Sequence, residues 1–376
     1  MIREDSELDS PRIDHVELFV GMAKMVTFWH TRALGFRLAA YAGPETGVHD
    51  RVSYLVEKNG IRLVITSAAH PSAFDILSFV DRHGNGVKHL AIEVDDVDAA
   101  FAEATARGGI PLREPETLRD ENGEVRQARL KFLDSNELSL VDRSEYEGLF
   151  APGFQPMDES DEPTEATFGS SLSNIDHIAF GIYPNEMSRW TSYITDLFGG
   201  TLIQKWDDDE GVGSEYSGMR LAVWRAANHG ITGVFVEPVK SKRPSQVQEY
   251  LEAFHGSGVQ HIAFACDDIF ETVATMRRNG VSFVSYPDTY YANLRRRGHI
   301  PHDLVDRLEE HHILCDRQGK ALLFQTFTKP FGDRPTFFYE IIQRRFSYEG
   351  FGQDNVRALF EAIEQDQARR AGLVST

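Results

Sequence analysis

Cysteine and long apolar runs are both scarce in this chain. Only Cys266 and Cys315 occur in 376 residues, which is too few for a disulfide framework and indicates a reducing compartment. No apolar run approaches the roughly 20 residues that cross a bilayer, and residues 1–7 are acidic, unlike a signal peptide. We therefore expect a cytoplasmic protein with no membrane partner.

Positive charge is also in short supply. The chain has 39 Lys and Arg against 58 Asp and Glu, which gives a formal net charge of -19. Such a surface repels phosphate backbones, so nucleic acid is not an expected partner. An anionic substrate would need a local cation to attract it, and a bound metal ion can supply one.

The length and an internal repeat indicate two similar halves. A single core stops growing at about 250 to 300 residues, whereas this chain has 376. Residues 12–20 read like residues 174–182, and residues 86–97 read like residues 258–269. We interpret the chain as a duplication in which each half contains two copies of a smaller unit.

Each small unit predicts a strand, a helix and three further strands. The helix-like stretches 97–108 and 269–280 follow Asp96 and Asp268, residues suited to cap helix N-termini, and both stretches end in glycine. We therefore predict an α+β fold in which duplicated βαβββ units form two open barrel-like mixed sheets.

Three regions and a final helix follow from this organisation. We expect an N-terminal structural domain over residues 1–150, a polar linker over 151–172, and a C-terminal domain over 173–376 that contains the candidate catalytic residues. Residues 354–371 carry apolar side chains at helical spacing. This C-terminal helix either gates the site as a lid or seals a core edge.

One carboxylate stands out because of its setting. Glu340 lies in a strand-like stretch, residues 336–342, where alternation places it on the same apolar face as Phe338. Burial of a carboxylate is costly unless a cation or a strong donor holds it. His177 and His261 occupy comparable positions on the first strands of two units. Together the three side chains form the ligand set of a mononuclear non-haem Fe(II) site.

The N-terminal half serves as an internal comparison. A single buried histidine is more often a hydrogen-bonded core residue than a ligand, so the joint placement of all three residues carries the metal hypothesis. His15 and His89 occupy the equivalent histidine positions, but Ser139 aligns with Glu340. Without that carboxylate the site is weak, and we interpret the N-terminal half as structural.

Several stretches of the second half are similar to one known family. They are residues 323–330, 333–335, 338–344 and 350–352, Asn355, and the segments 246–248 and 260–261. With these residues the chain, from Ile13 to Gln365, resembles the 4-hydroxyphenylpyruvate dioxygenase and hydroxymandelate synthase family of the vicinal oxygen chelate superfamily.

The resemblance implies an oxidoreductase of aromatic amino acid metabolism. Its cofactor would be Fe(II), held by His177, His261 and Glu340. Its substrate would be an arylpyruvate, by default 4-hydroxyphenylpyruvate, which O₂ converts by oxidative decarboxylation and hydroxylation. The resemblance also makes a homodimer or homotetramer an expectation.

Further residues take expected roles from the same resemblance. Three glutamines would orient the substrate as catalytic residues: Gln246, Gln260 and Gln325. A larger set would line the substrate pocket or its gating helix: Leu221, Val234, Val236, Phe327, Phe338, Phe351, Asn355, Val356 and Phe360.

Four pocket positions depart from the pattern of the homogentisate-forming enzymes. Those enzymes usually carry serine, proline, asparagine and phenylalanine where this chain has Leu221, Val234, Val236 and Val356. Hydroxymandelate synthases tend to have β-branched aliphatic residues at the positions of Val236 and Val356, which favours benzylic hydroxylation as an alternative.

Burial of a substrate's phenolic hydroxyl without a hydrogen-bond partner costs about 1 to 3 kcal/mol. Phenylpyruvate or a branched aliphatic 2-oxo acid is therefore a further alternative.

Two other function classes stay open from the sequence alone. An extradiol or glyoxalase-type reaction would need an additional acid/base residue or a fourth ligand, for which His229 or Tyr290 is the candidate. A binding module without chemistry would usually lack the three-residue set. Metal uptake and catechol turnover separate these classes from a 2-oxo acid dioxygenase.

Overall fold

The computed structural model describes residues 7–157, 170–206, 212–213, 218–242, 244–352, 355–356 and 358. Within these residues the chain forms two mixed β-sheets of nine strands each, one in each half. No helix in this part of the chain combines the length and the apolar character that a membrane crossing demands.

The first sheet collects the strands of the N-terminal half. They are β1 (Arg12–Phe19), β2 (Arg37–Ala42), β3 (Arg51–Lys58), β4 (Ile61–Ala68), β5 (Gly86–Glu93), β6 (Pro111–Asp120), β7 (Gly123–Phe132), β8 (Asn136–Asp142) and β9 (Gln155–Pro156). Their order across the sheet is β6-β7-β8-β5-β1-β4-β3-β2-β9. Three helices belong to this half: α1 (Ala23–Leu34), α2 (Phe74–His83) and α3 (Val97–Ala106).

The second sheet repeats the first. Its strands are β10 (Leu172–Gly181), β11 (Thr201–Trp206), β12 (Val212–Gly213), β13 (Gly218–Arg225), β14 (Thr232–Pro238), β15 (Gly258–Cys266), β16 (Leu314–Gln318), β17 (Ala321–Phe327) and β18 (Phe338–Arg345). They lie in the order β11-β13-β14-β10-β15-β18-β17-β16, with β12 paired to β13. The helices of this half are α4 (Met187–Phe198), α5 (Gln246–Phe254), α6 (Ile269–Arg278), α7 (Asp288–Arg297) and α8 (His302–Glu310).

The predicted βαβββ units are confirmed by the strand pairing. In each unit the first strand pairs in parallel with the last one, as in β1 with β4 and β15 with β18. Two units then join through antiparallel contacts between their first strands, β1 with β5 and β10 with β15. The sheets curl into half-barrels, and β10, β15 and β18 lie side by side in the second one.

The predicted helix ends are present. Asp96 accepts a hydrogen bond from the Ala99 amide at the start of α3, and Asp268 accepts from two amides at the start of α6. Gly108 and Gly280 follow these helices with φ values of 98° and 95°, a conformation that favours glycine. The fourth unit differs from the repeat, because α7 and α8 are inserted before its remaining strands.

The predicted linker and C-terminal helix lie partly outside the described residues. Within the linker, β9 pairs with β2, so residues 155–156 extend the first sheet. Residues 355–356 and 358 are helical, as expected for the start of the C-terminal helix. The remainder of that predicted helix, including Phe360, lies outside the part of the chain that the structure describes.

Helix α1 packs against the outer face of β18 and connects the two halves. His30 on this helix is 0% exposed. Its Nδ1 lies 2.7 Å from the carbonyl oxygen of Val26, so Nδ1 carries the proton. Nε2 then accepts a hydrogen bond from the Tyr339 hydroxyl at 2.7 Å. Burial lowers the pKa of His30 to about 4, so the ring is neutral.

The first prediction concerns this contact between the halves. Tyr339→Phe leaves the buried Nε2 of His30 without a donor, and we expect a loss of about 1 to 3 kcal/mol in the free energy of unfolding. Urea titration of the variant and the wild type measures the difference. Tyr146→Phe is the matched control, because its hydroxyl bonds Asp120 at an exposed site. Equal losses in both variants would contradict the prediction.

Candidate metal centre

The pairing of three neighbouring strands brings the three predicted ligands to one face. Ala263 of β15 lies opposite His177 of β10 on one side and opposite Glu340 of β18 on the other. His261 is two residues earlier in β15, so it points to the same side of the sheet as Ala263. The duplicated topology therefore converges on the interior of the second half-barrel.

The donor atoms are close enough to share one ion. The Nε2 atoms of His177 and His261 lie 3.3 and 3.4 Å from Oε2 of Glu340. One ligand atom from each of the three residues lies within 4.8 Å of the others, and all three residues are buried. Ligands at right angles around a first-row metal, each about 2.1 Å away, are about 3.0 Å apart. The spacing thus fits a metal ion bound on one side by two imidazoles and a carboxylate.

A carboxylate and a guanidinium fix the orientation of His177. Nδ1 of His177 lies 2.8 Å from Oδ1 of Asp176, and Arg344 donates to both Asp176 oxygens at 2.7 and 2.8 Å. The pairing of β10 with β15 shifts between Ile175 and His177, and this bulge allows two sequential residues to meet on one side. Since an ionised carboxylate only accepts, Nδ1 carries the proton and Nε2 is left for the metal.

The charges of the cluster depend on one another. Burial alone would lower the pKa of His177, but the carboxylates of Glu340 and Asp176 raise it to about 9. Burial would raise the pKa of Glu340, but the two histidines lower it to about 2. Burial lowers the pKa of His261. In protein stripped of metal, a proton on His177 therefore balances the charge of Glu340 at neutral pH.

A chain of hydrogen bonds runs from Glu340 to the C-terminal segment. Gln325 donates from Nε2 to Oε1 of Glu340 at 2.8 Å, and its Oε1 accepts from Asn355 at 2.9 Å. The Tyr290 hydroxyl donates to Oδ1 of Asn355 at 2.9 Å and accepts from the Cys315 amide at 2.8 Å. Because Gln325 occupies Oε1, the other carboxylate oxygen faces the two histidines.

Aromatic side chains pack on the histidine rings. Phe338 stacks on His261 with 5.0 Å between ring centroids and 22° between planes, while Phe327 meets the same ring edge-on at 5.9 Å. Phe351 contacts His177 edge-on at 5.4 Å. These contacts leave the imidazoles little freedom to rotate.

An aliphatic wall lies beside the cluster on β13, β14 and the C-terminal segment. It consists of Leu221, Val234, Val236 and Val356, which belong to one buried apolar cluster together with Phe351. Leu221 pairs directly with Val236 across the two strands. The structure therefore gathers these sequence-predicted pocket residues into one buried apolar cluster.

The other residues predicted for the site differ in their burial and in their hydrogen bonds. Gln260 is buried at a second bulge, and its Oε1 lies 3.3 Å from Nδ1 of His261. Gln246 begins α5, is half-buried, and makes no side-chain hydrogen bond within the described residues. Of the candidates for a fourth ligand, His229 lies in an exposed turn, and Tyr290 is separated from Glu340 by two amide side chains.

The N-terminal half has a different interior. Ser139 pairs with Ala91 as Glu340 pairs with Ala263. The ring nitrogens of His89 instead lie 2.5 Å from a carboxylate oxygen of Glu17 and 3.0 Å from one of Glu137. Among the described residues, the second half supplies the single group of ionisable side chains with metal-binding spacing.

Asp176, Arg344 and Phe351 surround His177 in an arrangement that we call the frame, and the frame recurs in the N-terminal half. Asp14 lies 2.5 Å from Nδ1 of His15 and pairs with Arg143 at 3.0 Å, and Phe150 contacts His15 edge-on at 5.1 Å. Sequence reasoning missed this frame in both halves. The signal was available, since an Asp-His pair and a distant arginine occur at equivalent places in each repeat.

Comparisons with known proteins agree with this geometry. The Glyoxalase/Bleomycin resistance protein/Dioxygenase superfamily matches residues 12–137 and 174–298. The chain is 35% identical to a 4-hydroxyphenylpyruvate dioxygenase of Aspergillus fumigatus, over 96% of this chain and 94% of the relative. It is 36% identical to that of Yarrowia lipolytica, over 98% and 95%. A mutant 4-hydroxymandelate synthase from Streptomyces coelicolor has a similar structure, with TM-score 0.83, 29% identity and coverage of 95% and 99%.

The second prediction tests the frame. In Asp176→Asn the neutral amide holds His177 and Arg344 less firmly, and we expect about 10- to 100-fold weaker binding of Co(II), used as an air-stable probe. Competition with a chelating dye measures the affinity. Asp14→Asn is the matched control, because it alters the same frame in the half without the cluster. An unchanged affinity in Asp176→Asn would argue against the frame's role.

The third prediction concerns pH. The raised pKa of His177 means that a metal ion must displace a proton below about pH 9. We expect Co(II) binding near pH 7.5 to release about one proton, and affinity to rise about tenfold per pH unit. Calorimetry in buffers with different ionisation enthalpies counts the protons. A count near zero would show that His177 is already neutral.

Proposed function

The chain belongs to the 4-hydroxyphenylpyruvate dioxygenase family, and from this premise we propose that it is an Fe(II)-dependent 2-oxo acid dioxygenase. It oxidatively decarboxylates an arylpyruvate and hydroxylates the product, with 4-hydroxyphenylpyruvate as the reference substrate. One observation carries the proposal: a buried pair of histidines and a carboxylate, His177, His261 and Glu340, on adjacent strands.

The donor set suits iron. Two imidazoles and one carboxylate, those of His177, His261 and Glu340, are the donor set of non-haem Fe(II) oxygenases and leave coordination positions for other ligands. A bound Fe(II) would bind the 2-oxo acid as a Lewis acid and would activate O₂. Because the substrate is itself the 2-oxo acid, no second oxo acid is needed.

The protein's own residues would hold and orient these components. Asp176 and Arg344 keep Nε2 of His177 directed at the metal, and Gln325 keeps Oε2 of Glu340 free for it. Gln260 lies beside His261, where its amide can orient the substrate. For Gln246 the resemblance to the family supports the same role. Burial of the cluster limits access of water to the reacting groups.

The two halves differ in the residues of their interiors, and we propose a different role for each. We assign catalysis to residues 173–376 and a structural role to residues 1–150, with residues 151–172 connecting them. The contacts of His89 with Glu17 and Glu137 support this assignment, because they occupy the interior of the first half-barrel. A cytoplasmic homodimer or homotetramer remains our expectation for the assembly.

Benzylic hydroxylation is the second candidate. The structural similarity to a 4-hydroxymandelate synthase favours it, as do the aliphatic side chains of Val236 and Val356 in the pocket wall. Both reactions consume one 2-oxo acid and one O₂. Chromatography separates a mandelate from homogentisate and so decides between them.

The fourth prediction tests the activity. Iron-loaded protein should consume O₂ with at least one of 4-hydroxyphenylpyruvate, phenylpyruvate and 4-methyl-2-oxopentanoate, and Glu340→Ala should lower kcat/KM by more than about 100-fold because a ligand is lost. An oxygen electrode records both. Glu137→Gln is the control, since it removes a partly buried carboxylate from the equivalent sheet of the other half. No uptake with any of the three acids would refute the proposed function.

A further inference from the structure

The two ends of the site differ in polarity. Around the candidate ligands lie amide side chains, namely Gln260, Gln325 and Asn355. On β13, β14 and the C-terminal segment, the interior is the aliphatic wall of Leu221, Val234, Val236 and Val356. A substrate chelated at the metal through its 2-oxo acid would direct its side chain along this wall.

The strand register shows how the wall continues away from the metal. Along β10, Ala179 and Gly181 follow His177 on the same face. Ala179 lies opposite Val234, and Gly181 lies opposite Val236. Four residues of strand span roughly 13 Å, so the wall extends beyond the ketone of a chelated acid to the far end of its side chain.

Helix α5 closes this far end. A Cβ at Gly181 would approach the ring of Tyr250 to 2.6 Å, which shows how closely the helix packs on β10. The Tyr250 hydroxyl already donates to the carbonyl of Val259 at 3.1 Å. On this helix Val247 and Tyr250 belong to the apolar cluster of the wall, and the Tyr250 hydroxyl is directed at a backbone carbonyl.

Polar groups on the neighbouring strands face elsewhere. Arg220 and Glu237 alternate with the wall residues and pair with each other at 3.3 Å on the opposite face. Trp206, which pairs with Leu221, belongs to the apolar cluster, and its indole can donate but not accept. The side chains of the wall, together with those of Val247 and Trp206, therefore carry no oxygen that could accept the proton of a phenol.

We propose that the preferred substrate is a 2-oxo acid whose side chain is apolar to its tip, such as phenylpyruvate or 4-methyl-2-oxopentanoate. The inference rests on the proposed function and specifies its substrate class. A phenolic hydroxyl at the wall gives up its hydrogen bonds to water without replacement, which disfavours it by about tenfold to a hundredfold. A hydrocarbon tip gains from the same burial.

The fifth prediction compares substrates on the iron-loaded enzyme. We expect kcat/KM for phenylpyruvate or 4-methyl-2-oxopentanoate to exceed that for 4-hydroxyphenylpyruvate by at least about tenfold. The better of the two apolar acids tells whether the pocket selects a ring or a branched chain. A higher kcat/KM for 4-hydroxyphenylpyruvate would overturn the inference while leaving the dioxygenase function intact. Uptake with none of them would overturn both.

Variants of the wall test its role directly. Leu221→Ser combined with Val236→Asn supplies hydrogen-bond partners, and we expect the preference for phenylpyruvate over 4-hydroxyphenylpyruvate to fall about tenfold, mainly through KM. Ala222→Ser is the matched control, because it adds a hydroxyl to the same strand on the opposite face. An unchanged preference in the double variant would contradict the inference.

A binding measurement keeps this test independent of turnover. Anaerobic titration of the Fe(II) protein with each 2-oxo acid, followed by visible absorption, gives Kd values even where the double variant turns over poorly. If that variant does not fold, the same titration with Leu221→Ser alone serves. Tighter binding of 4-hydroxyphenylpyruvate than phenylpyruvate by the wild type would again overturn the inference.

Discussion

The buried carboxylate of Glu340 is the constraint around which the second half is organised. It is 1% exposed, and an ionised carboxyl group at that depth requires positive charge and hydrogen-bond donors close by. Two imidazoles and the amide of Gln325 surround it. Each of these groups comes from a different strand, so the pairing of the strands and the electrostatics of the site depend on one another.

The support extends outward from that carboxylate in two directions. Through His177 it reaches Asp176 and Arg344, and the guanidinium also donates to the carbonyl of Gly350 at 2.6 Å. Through Gln325 it reaches Asn355 at the start of the C-terminal segment. Both paths end next to the segment that follows β18. Hydrogen bonds thereby connect that segment to the side chains of the candidate metal ligands.

Much of this arrangement could be predicted from the sequence. The duplication, the βαβββ units, the capping by Asp96 and Asp268, and the convergence of His177, His261 and Glu340 all depend on periodicity and repetition, which a sequence displays. The residues of the wall were expected from the resemblance to the family, and alternation along β13 and β14 explains why those residues face the interior.

Other features could not be predicted, for physical reasons. The bulges at Asp176 and Gln260 are one-residue shifts in strand register, and they decide whether two sequential side chains meet on one side. The hydrogen-bond partners of Gln325 depend on which of several nearby donors and acceptors its amide and that of Asn355 pair with. The insertion of α7 and α8 places Tyr290 next to Asn355, a contact between residues 65 positions apart in the chain. No local pattern encodes such contacts.

The frame of aspartate, arginine and phenylalanine around His15 separates the architecture of a half-barrel from its ligand set. The frame is present in a half where Ser139 stands in place of Glu340 and where His89 lies between two other carboxylates. It therefore forms without the set of two histidines and one glutamate. By the same logic, the first half-barrel is a ready scaffold into which a new centre could be engineered from within.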